Sequence, residues 1–201
     1  SFDMGREIPV DLKSTIAKVK DADIVIFAGG ISPAVEGEEM HVDIPGFKGG
    51  DRETIELPSI QNRLLTELKK AGKRIVFVNF SGSAIALTSE SETCDAILQA
   101  WYPGQAGGTA IANVLFGDYN PAGRLPVTFY KSTHQLPDFE DYSMKGRTYR
   151  YMTETPLFPF GYGLSYTTFQ YGEALLSDSE LKSDEPVTLT IPVSNIGKRD
   201  G

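Results

Sequence analysis

The sequence contains few of the residues that hold metals and disulfides. It has a single cysteine, Cys94, and only two histidines in 201 residues. One cysteine excludes an internal disulfide, and we interpret Cys94 as a small buried residue and not as a nucleophile. His41 lies among carboxylates without a second histidine at ligand spacing, so no metal site is predicted. We also expect no bound cofactor, because the glycine-rich turns lack the Lys-Ser/Thr step of a nucleotide loop.

Positive charge and long apolar runs are scarce as well. The chain has 19 basic and 27 acidic residues and a formal net charge of −8. Nucleic acids and anionic membranes need a basic face, so neither is predicted as a partner. No apolar run approaches the roughly 18 residues of a membrane span, and no signal-peptide pattern is visible in residues 1–10. A neutral sugar or a protein surface is compatible with this composition.

Three short apolar runs have the composition of strands in a parallel sheet. They cover residues 24–28, 74–80 and 96–101, and each ends in a loop that contains glycine. Such runs are typical of strands that are buried on both faces. The sequence therefore predicts at least three strands of this kind.

Helical spacing of apolar residues separates these runs. Residues 57–68 predict a helix with Pro58 in its first turn and Gly72 just past its end. Thr109 is a candidate N-cap for another helix, and residues 12–19 predict a third. Alternating strands and helices indicate an α/β fold with an open, mostly parallel sheet sandwiched by helices. Ligands of such sheets gather at the carboxyl ends of the strands.

The composition changes twice toward the end of the chain. Proline, glycine and aromatic residues become dense after Asn120, and residues 186–195 alternate like a β-strand after a second change at Tyr171. Two short strands cannot form an independent sandwich. We therefore predict an α/β sandwich domain over residues 1–170 and the first strands of a second, truncated β domain over residues 171–201.

One acidic segment, residues 35–41, could carry chemistry. It places Glu36, Glu38 and Glu39 directly after the first predicted strand and its glycine turn. Carboxyl groups that are crowded together or covered can hold a proton near neutral pH. A general acid for glycosidic bond cleavage needs that property. Taken alone the cluster does not identify an enzyme, because acidic loops are usually just solvated.

Seven landmarks, taken in order, resemble the C-terminal region of glycoside hydrolase family 3. The resemblance covers about residues 22–201 and is carried by residues 28–31, 36–38, 50–52, 101–108, 120–128, 146–151 and 158–167. It implies an N-terminal barrel that this chain lacks, then this α/β sandwich, then a fibronectin-type-III-like domain of which residues 171–201 would be the start.

The resemblance also implies a retaining mechanism divided between two domains. The barrel would supply an aspartate nucleophile and much of the sugar subsite, and the sandwich would supply the acid/base glutamate. Retention requires the two carboxyl groups to lie about 5–5.5 Å apart. No residue of this chain matches the family nucleophile, so the chain alone is predicted to be inactive.

Three glutamates compete for the acid/base role that the resemblance implies. A Gly-Glu step followed by a loop leading to Asp-Arg favours Glu38, which follows Gly37. A Glu-x-Glu pair keeps Glu36 as the second candidate, and Glu39 comes third. The loop of residues 40–49 is longer than in compact members and makes the register ambiguous. The two glutamates that do not act as the acid would orient it. Asp51-Arg52 is interpreted as structural.

The expected function is that of an exo-acting β-glycosidase which hydrolyses O-glycosidic bonds. Residues 102–108 and 146–150 look more like the β-xylosidase branch than the β-glucosidase branch, which stays the alternative. A non-catalytic carbohydrate-binding or interaction module is a further alternative. Expected partners are a β-linked oligosaccharide or glycoside and the N-terminal barrel domain. The family implies a periplasmic or secreted location. A serine hydrolase elbow is not predicted, since Thr167 stands where its second glycine belongs.

Overall fold

A computed structural model describes residues 2–3, 6–7, 9–37, 39–180 and 183–201. The elements run in this order: β1 (Phe2–Asp3), β2 (Arg6–Glu7), α1 (Leu12–Lys18), β3 (Ile24–Gly30), β4 (Phe47–Lys48), β5 (Asp51–Arg52), α2 (Ser59–Lys70), β6 (Arg74–Phe80), α3 (Thr88–Thr93), β7 (Ala96–Gln99), α4 (Gly107–Phe116), a 3-10 turn (Thr133–Gln135), α5 (Thr148–Tyr151), β8 (Phe169–Tyr171), β9 (Leu175–Leu176), β10 (Leu189–Thr190) and β11 (Val193–Asn195). No helix in these ranges is long and apolar enough to cross a membrane.

A three-stranded parallel sheet is the centre of the fold, in the order β3-β6-β7. Ile24 pairs with Arg74 at one end of β3 and Gly30 pairs with Phe80 at the other. Helix α2 connects β3 to β6 and packs against β6, α1 and α3. The predicted α/β class with parallel strands is therefore confirmed, and the three strands lie where the apolar runs placed them.

Burial differs between the strands of this sheet. Ile75, Phe77 and Val78 of β6 are buried, because β6 is the central strand. In β3 the exposure alternates, and Ile24 and Ile26 are 46% and 51% exposed. The expectation that every strand is buried on both faces is thus correct for β6 and wrong for β3, which lies at the edge of the sheet.

Two predicted helix starts differ from the observed ones by a few residues. Helix α2 begins at Ser59, so Pro58 occupies the N-cap position, with φ −49° and ψ 133°, and lies before the first turn. Gly72 lies just past the end of α2 with φ +76°, as predicted. Thr109 is not an N-cap: α4 begins at Gly107, and the carbonyl of Ala106 already accepts a hydrogen bond from the Ala110 N–H at 3.0 Å.

The hydrophobic core takes in the loops that follow the strands as well as the elements themselves. Its members from loops are fully or almost fully buried, and they include Ile31, Val35, Ile44 and Phe129. The loop after β3 is consequently part of the packed interior at several points, and those points restrict its path.

The chain contains two compact units. The first comprises residues 1–105 and 125–161, and the second comprises residues 106–124 and 162–201. In the second unit β8 pairs with β11 and β9 pairs with β10, both antiparallel. The predicted single strand over residues 186–195 is wrong, because Pro192 separates β10 from β11 and has no N–H to donate. The domain boundary at residue 170 stays a prediction.

Candidate catalytic loop

The candidate acid lies in the loop that follows β3, at the carboxyl end of the parallel sheet. The Ile31 N–H donates to the Phe80 carbonyl at 2.8 Å, so the loop begins as a direct continuation of the sheet. The N–H groups of Val35 and Glu36 both donate to the Ser32 carbonyl, at 3.0 and 3.1 Å. The loop therefore turns sharply, and the buried side chains of Ile31 and Val35 hold both ends of this turn.

Gln61 of α2 fixes the point at which the chain leaves the sheet. Its side-chain amide donates to the Gly30 carbonyl at 2.7 Å and accepts from the Gly30 N–H at 2.8 Å. Gly30 has φ +127°, and a Cβ at this position would lie 1.9 Å from the Phe80 carbonyl oxygen. Only glycine fits here, and Gln61 satisfies both of its backbone hydrogen-bonding groups.

The hairpin of β4 and β5 lies directly against the candidate acid loop. Its two central residues, Gly49 and Gly50, have φ values of +61° and +89°, as a type I′ turn requires. A Cβ on Gly50 would lie 1.8 Å from the Gly37 carbonyl oxygen. This close backbone approach holds Gly37, the residue after Glu36, against the hairpin.

Arg52, the last residue of this hairpin, is the charged partner of Glu36. Its Nε lies 3.9 Å from Glu36 Oε1, and the two side chains are 9% and 27% exposed. Arg52 Nη1 donates to Ser83 Oγ at 2.9 Å, and Nε donates to the Thr54 carbonyl at 3.2 Å. Ser83 Oγ is itself 3.5 Å from Glu36 Oε1. Glu36 is thus held by a guanidinium and a hydroxyl group.

The charge of Arg52 persists despite its burial. Burial lowers the pKa of the guanidinium, and the carboxylates of Glu36 and Glu56 oppose that change. An arginine side chain keeps its proton in proteins. Arg52 is therefore a permanent positive charge beside the loop.

Tyr102 holds the loop from the segment after β7. Its hydroxyl donates to the Ile31 carbonyl at 3.0 Å. Burial raises the pKa of Tyr102, and the negative charge of Glu36 raises it further. The phenol consequently stays protonated and keeps its donor role.

The three predicted acid/base candidates differ in what the structure shows of them. Glu36 is half-buried and joined to Arg52 and Ser83. Glu39 is exposed and has a positive φ of +48°. Glu38 lies outside the described residues. Of the two candidates that the structure describes, it therefore places only Glu36 in a defined polar environment.

Sequence analysis missed Gln61, Ser83 and Tyr102. A signal for Gln61 was present, because it lies four residues from both Leu57 and Leu65 on the apolar face of the helix predicted over residues 57–68. A polar residue in that register indicates a buried hydrogen-bond partner. Ser83 and Tyr102 carry no comparable local signal. Gln61 and Tyr102 hold the backbone at the start of the loop, and Ser83 contacts the carboxyl group of Glu36. A carboxyl group is a side chain that can donate and accept a proton.

Comparison with known proteins identifies the same family as the seven sequence landmarks. Residues 9–166 match the Glycosyl hydrolase family 3 C-terminal domain. The chain is 61% identical over 201 residues to a xylan 1,4-beta-xylosidase of Xylanibacter ruminicola, with all of this chain and 23% of that protein covered. It is 40% identical to a periplasmic beta-glucosidase of Salmonella typhimurium, with 94% of this chain and 25% of that protein covered.

Solved structures of β-glycosidases are also similar to this chain. A b-glucosidase from Erythrobacter marinus superposes with a TM-score of 0.78 at 35% identity, over 94% of this chain and 25% of that one. A GH3 exo-beta-xylosidase in complex with a xylobiose aziridine probe gives 0.68 at 32% identity, over 81% and 21%.

The chain spans about a quarter of the length of these relatives. The family match covers most of the chain, and it agrees with the ordered landmarks and with the parallel sheet. The resemblance predicted from the sequence is therefore confirmed, and the chain belongs to the family of glycosyl hydrolase family 3 C-terminal domains.

Proposed function

We propose that this chain supplies the general acid/base of a retaining, exo-acting β-glycosidase. The observation that carries the proposal is the loop after β3, which Gln61, Arg52 and Tyr102 hold at the carboxyl end of a parallel sheet. Substrate sites of open α/β sheets lie at this edge. The nucleophile and much of the sugar subsite would come from an N-terminal barrel domain that is not part of these 201 residues.

In the proposed reaction a glutamic acid of the loop protonates the glycosidic oxygen of the leaving group. A carboxylate of the barrel attacks the anomeric carbon at the same time, and the bond to the leaving oxygen breaks. The loop glutamate, now ionised, then takes a proton from water, whose oxygen displaces the enzyme carboxylate. The proton count balances over the two steps, and the glutamate returns to its acid form.

Glu38 is the first candidate for this acid and Glu36 the second. The carboxylate of Glu36 is already engaged by Arg52 and Ser83, which suits a residue that orients its neighbour. The contact of Gly50 with the Gly37 carbonyl supports the same assignment, because it holds the backbone immediately before Glu38.

A β-D-xyloside is the proposed substrate, with a β-D-glucoside as the alternative. Support comes from the relative at 61% identity, which is named a xylosidase. Relatives named as glucosidases at 40% and 34% identity support the alternative. One of them is named periplasmic, which supports a periplasmic or secreted location.

A chimera tests the acid assignment. The chain replaces the matched 201 residues of the Xylanibacter xylosidase, and the same Glu→Gln change is made singly at 36, 38 and 39. We expect Glu38→Gln to slow hydrolysis of a β-xyloside with a poor leaving group by about 10²–10⁴-fold. A dinitrophenyl xyloside needs no proton donor for bond cleavage, so its glycosylation step should persist, and added azide should restore turnover.

Three outcomes would change the assignment. If Glu36→Gln has this signature and Glu38→Gln does not, then Glu36 is the acid. If none of the three variants separates good from poor leaving groups, the loop does not supply an acid and the proposal is wrong. Hydrolysis by the unmodified chain alone would reveal a nucleophile within these 201 residues and would also refute it.

A carbohydrate-binding module is the second candidate function, and one observation favours it. The rings of Tyr149 and Phe160 stack with centroids 4.6 Å apart, and they are 59% and 48% exposed. Arg150 lies 5.8 Å from the Tyr149 ring. Exposed rings of this kind can stack on sugar faces. Retention of the chain on insoluble xylan, lost in Tyr149→Ala, would support this function.

A further inference from the structure

Two amide side chains join the carboxyl ends of β6 and β7. Asn79 of β6 and Gln99 of β7 are partners in the register of the sheet, and Asn79 Nδ2 donates to Gln99 Oε1 at 2.6 Å. Gln99 Nε2 in turn donates to Ser81 Oγ at 3.0 Å. Asn79 and Ser81 are fully buried. We call these three side chains the amide network.

The amide network is unfavourable for stability at this position in the sheet. Residues 75–78 of β6 are all apolar, and a buried polar side chain in such a strand costs free energy unless its hydrogen bonds are made. Asn79 Oδ1 has no partner among the described residues. Nearby, Trp101 has φ +55°, a strained value for a residue other than glycine. Backbone strain of this kind clusters at active sites, so two unfavourable features at one end of the sheet indicate a role other than stability.

Two loops begin at the amide network. The first begins at Ser81, directly after β6. The second continues the sheet beyond β7, because the Ala100 N–H donates to the Asn79 carbonyl at 2.8 Å. The two loops pack on each other, and a Cβ on Gly82 would lie only 2.7 Å from the ring of Tyr102. A displacement of one loop therefore displaces the other.

Each of these two loops contacts the loop that carries the candidate acid. Ser83 Oγ lies 3.5 Å from Glu36 Oε1 and accepts from Arg52 Nη1 at 2.9 Å. The Tyr102 hydroxyl donates to the Ile31 carbonyl at 3.0 Å. The amide network is thus connected to the candidate acid loop through Ser83 and Tyr102.

We propose that Asn79 and Gln99 are positioning residues for the general acid. They fix the carboxyl ends of β6 and β7, and through Ser83 and Tyr102 they set the position of the loop whose glutamate protonates the leaving oxygen. This role rests on the proposed function. A displacement of about 1 Å can slow an enzymatic reaction by about 10²-fold, so side chains that do not touch the substrate can control the rate of proton transfer.

Gln99→Met tests this role in the chimera with the Xylanibacter xylosidase. Methionine has a similar length and makes neither hydrogen bond of the amide. We expect hydrolysis of a β-xyloside with a poor leaving group to slow by about tenfold or more. Glycosylation by the dinitrophenyl xyloside needs no proton donor, so it should continue at the unmodified rate. A merely structural role would instead slow both reactions equally, because it would lower the amount of folded enzyme.

Asp95 provides the matched control, because its side chain joins the same two strands at their opposite ends. Asp95 Oδ2 accepts from the Ile75 N–H at 2.8 Å, just before β7 begins. Asp95→Ala and Gln99→Met should both unfold at a lower urea concentration, but Asp95→Ala should leave the ratio of the two rates unchanged. Tyr102→Phe removes one hydroxyl and keeps the ring, so it should lower the ratio in the same direction as Gln99→Met.

Hydrogen exchange of the 201-residue chain gives a readout that requires no activity. The N–H groups of Val35 and Glu36 donate to the Ser32 carbonyl, so their exchange rates report how firmly the candidate acid loop is held. In Gln99→Met these two groups should exchange about tenfold faster. In Asp95→Ala they should exchange at the unmodified rate.

Equal slowing of both xylosides by Gln99→Met would overturn the inference, and so would unchanged exchange of the two N–H groups. If Gln99→Met does not fold, Tyr102→Phe decides, and an unmodified rate ratio in that variant counts against the role. These results would leave the proposed function intact as long as a Glu→Gln variant of the loop still separates good from poor leaving groups. If no such variant does so, the proposed function fails, and the positioning role fails with it even where exchange is faster.

Discussion

Replacement of Gln61 by glutamate should destabilise the first unit in a pH-dependent way. The two residues have the same shape, so the change tests hydrogen bonding and not packing. A carboxylate still accepts from the Gly30 N–H, but it cannot donate to the Gly30 carbonyl, which lies 2.7 Å from the present amide nitrogen. The variant therefore loses one buried hydrogen bond and sets two oxygen atoms against each other.

The size of the effect follows from these contacts. A buried carbonyl without a donor costs about 1–3 kcal/mol, and Gln61 is 7% exposed. Burial of a carboxylate against that carbonyl adds to this cost, so we expect a loss of about 3 kcal/mol at neutral pH. A protonated carboxyl group can donate again. Burial should raise the pKa of this glutamate in the folded state, so the loss should shrink as the pH falls toward the ordinary glutamate value of about 4.3 and should be about 1 kcal/mol or less below it.

Urea unfolding followed by Trp101 fluorescence measures the first unit, which contains this tryptophan. Glutamate in place of Gln105, an exposed residue of the same unit, is the control and should change stability by under about 0.5 kcal/mol. The reasoning is refuted if both variants have the same midpoint at pH 7. It is also refuted if the loss in the Gln61 variant is as large at pH 4 as at pH 7.

Three further outcomes are expected. Burial, followed by the charges of Glu90 and Asp95, raises the pKa of Cys94 to about 12, so the thiol should react with a disulfide reagent at pH 8 only after unfolding. Burial also raises the pKa of Glu90. Glu90→Gln should therefore unfold at a higher urea concentration at pH 7, with a gain that fades as the pH falls toward the ordinary glutamate value and is absent below it. Gly50→Ala should cost about 2 kcal/mol or more, because its Cβ would meet a backbone oxygen at 1.8 Å. Gly49→Ala, with open space, should cost about 1 kcal/mol in the same urea assay.

The local sequence pattern was sufficient to predict where the three strands of the sheet lie, but it did not predict how exposed their side chains are. The run at residues 74–80 coincides with β6 because a central strand is covered on both sides and needs a continuous apolar sequence. The run at residues 24–28 looks the same in the sequence, although β3 lies at the edge with Ile24 and Ile26 half exposed. The position of each strand in the sheet decides this difference, and a short apolar run in the sequence does not indicate that position.

The candidate loop was predictable only in part for a similar reason. The cluster of Glu36, Glu38 and Glu39 is visible because its members are adjacent in the sequence. The side chains that hold the loop come from far along the chain: Gln61 reaches Gly30 across 31 residues, and Ser83 reaches Glu36 across 47. Contacts of this range depend on how α2 and the loop after β6 pack, so no local pattern reports them.

The register of the sheet has a consequence for the order in which the chain folds. Ile24 of β3 pairs with Arg74, which is fifty residues further on, whereas Val76 of β6 pairs with Ala96, only twenty further on. Closure of the longer loop costs about 0.8 kcal/mol more in chain entropy. The β6–β7 pair should therefore form first and dock β3 afterwards. The segment with the candidate acid is then among the last parts of the first unit to be ordered, and it reaches its native position only when folding is nearly complete.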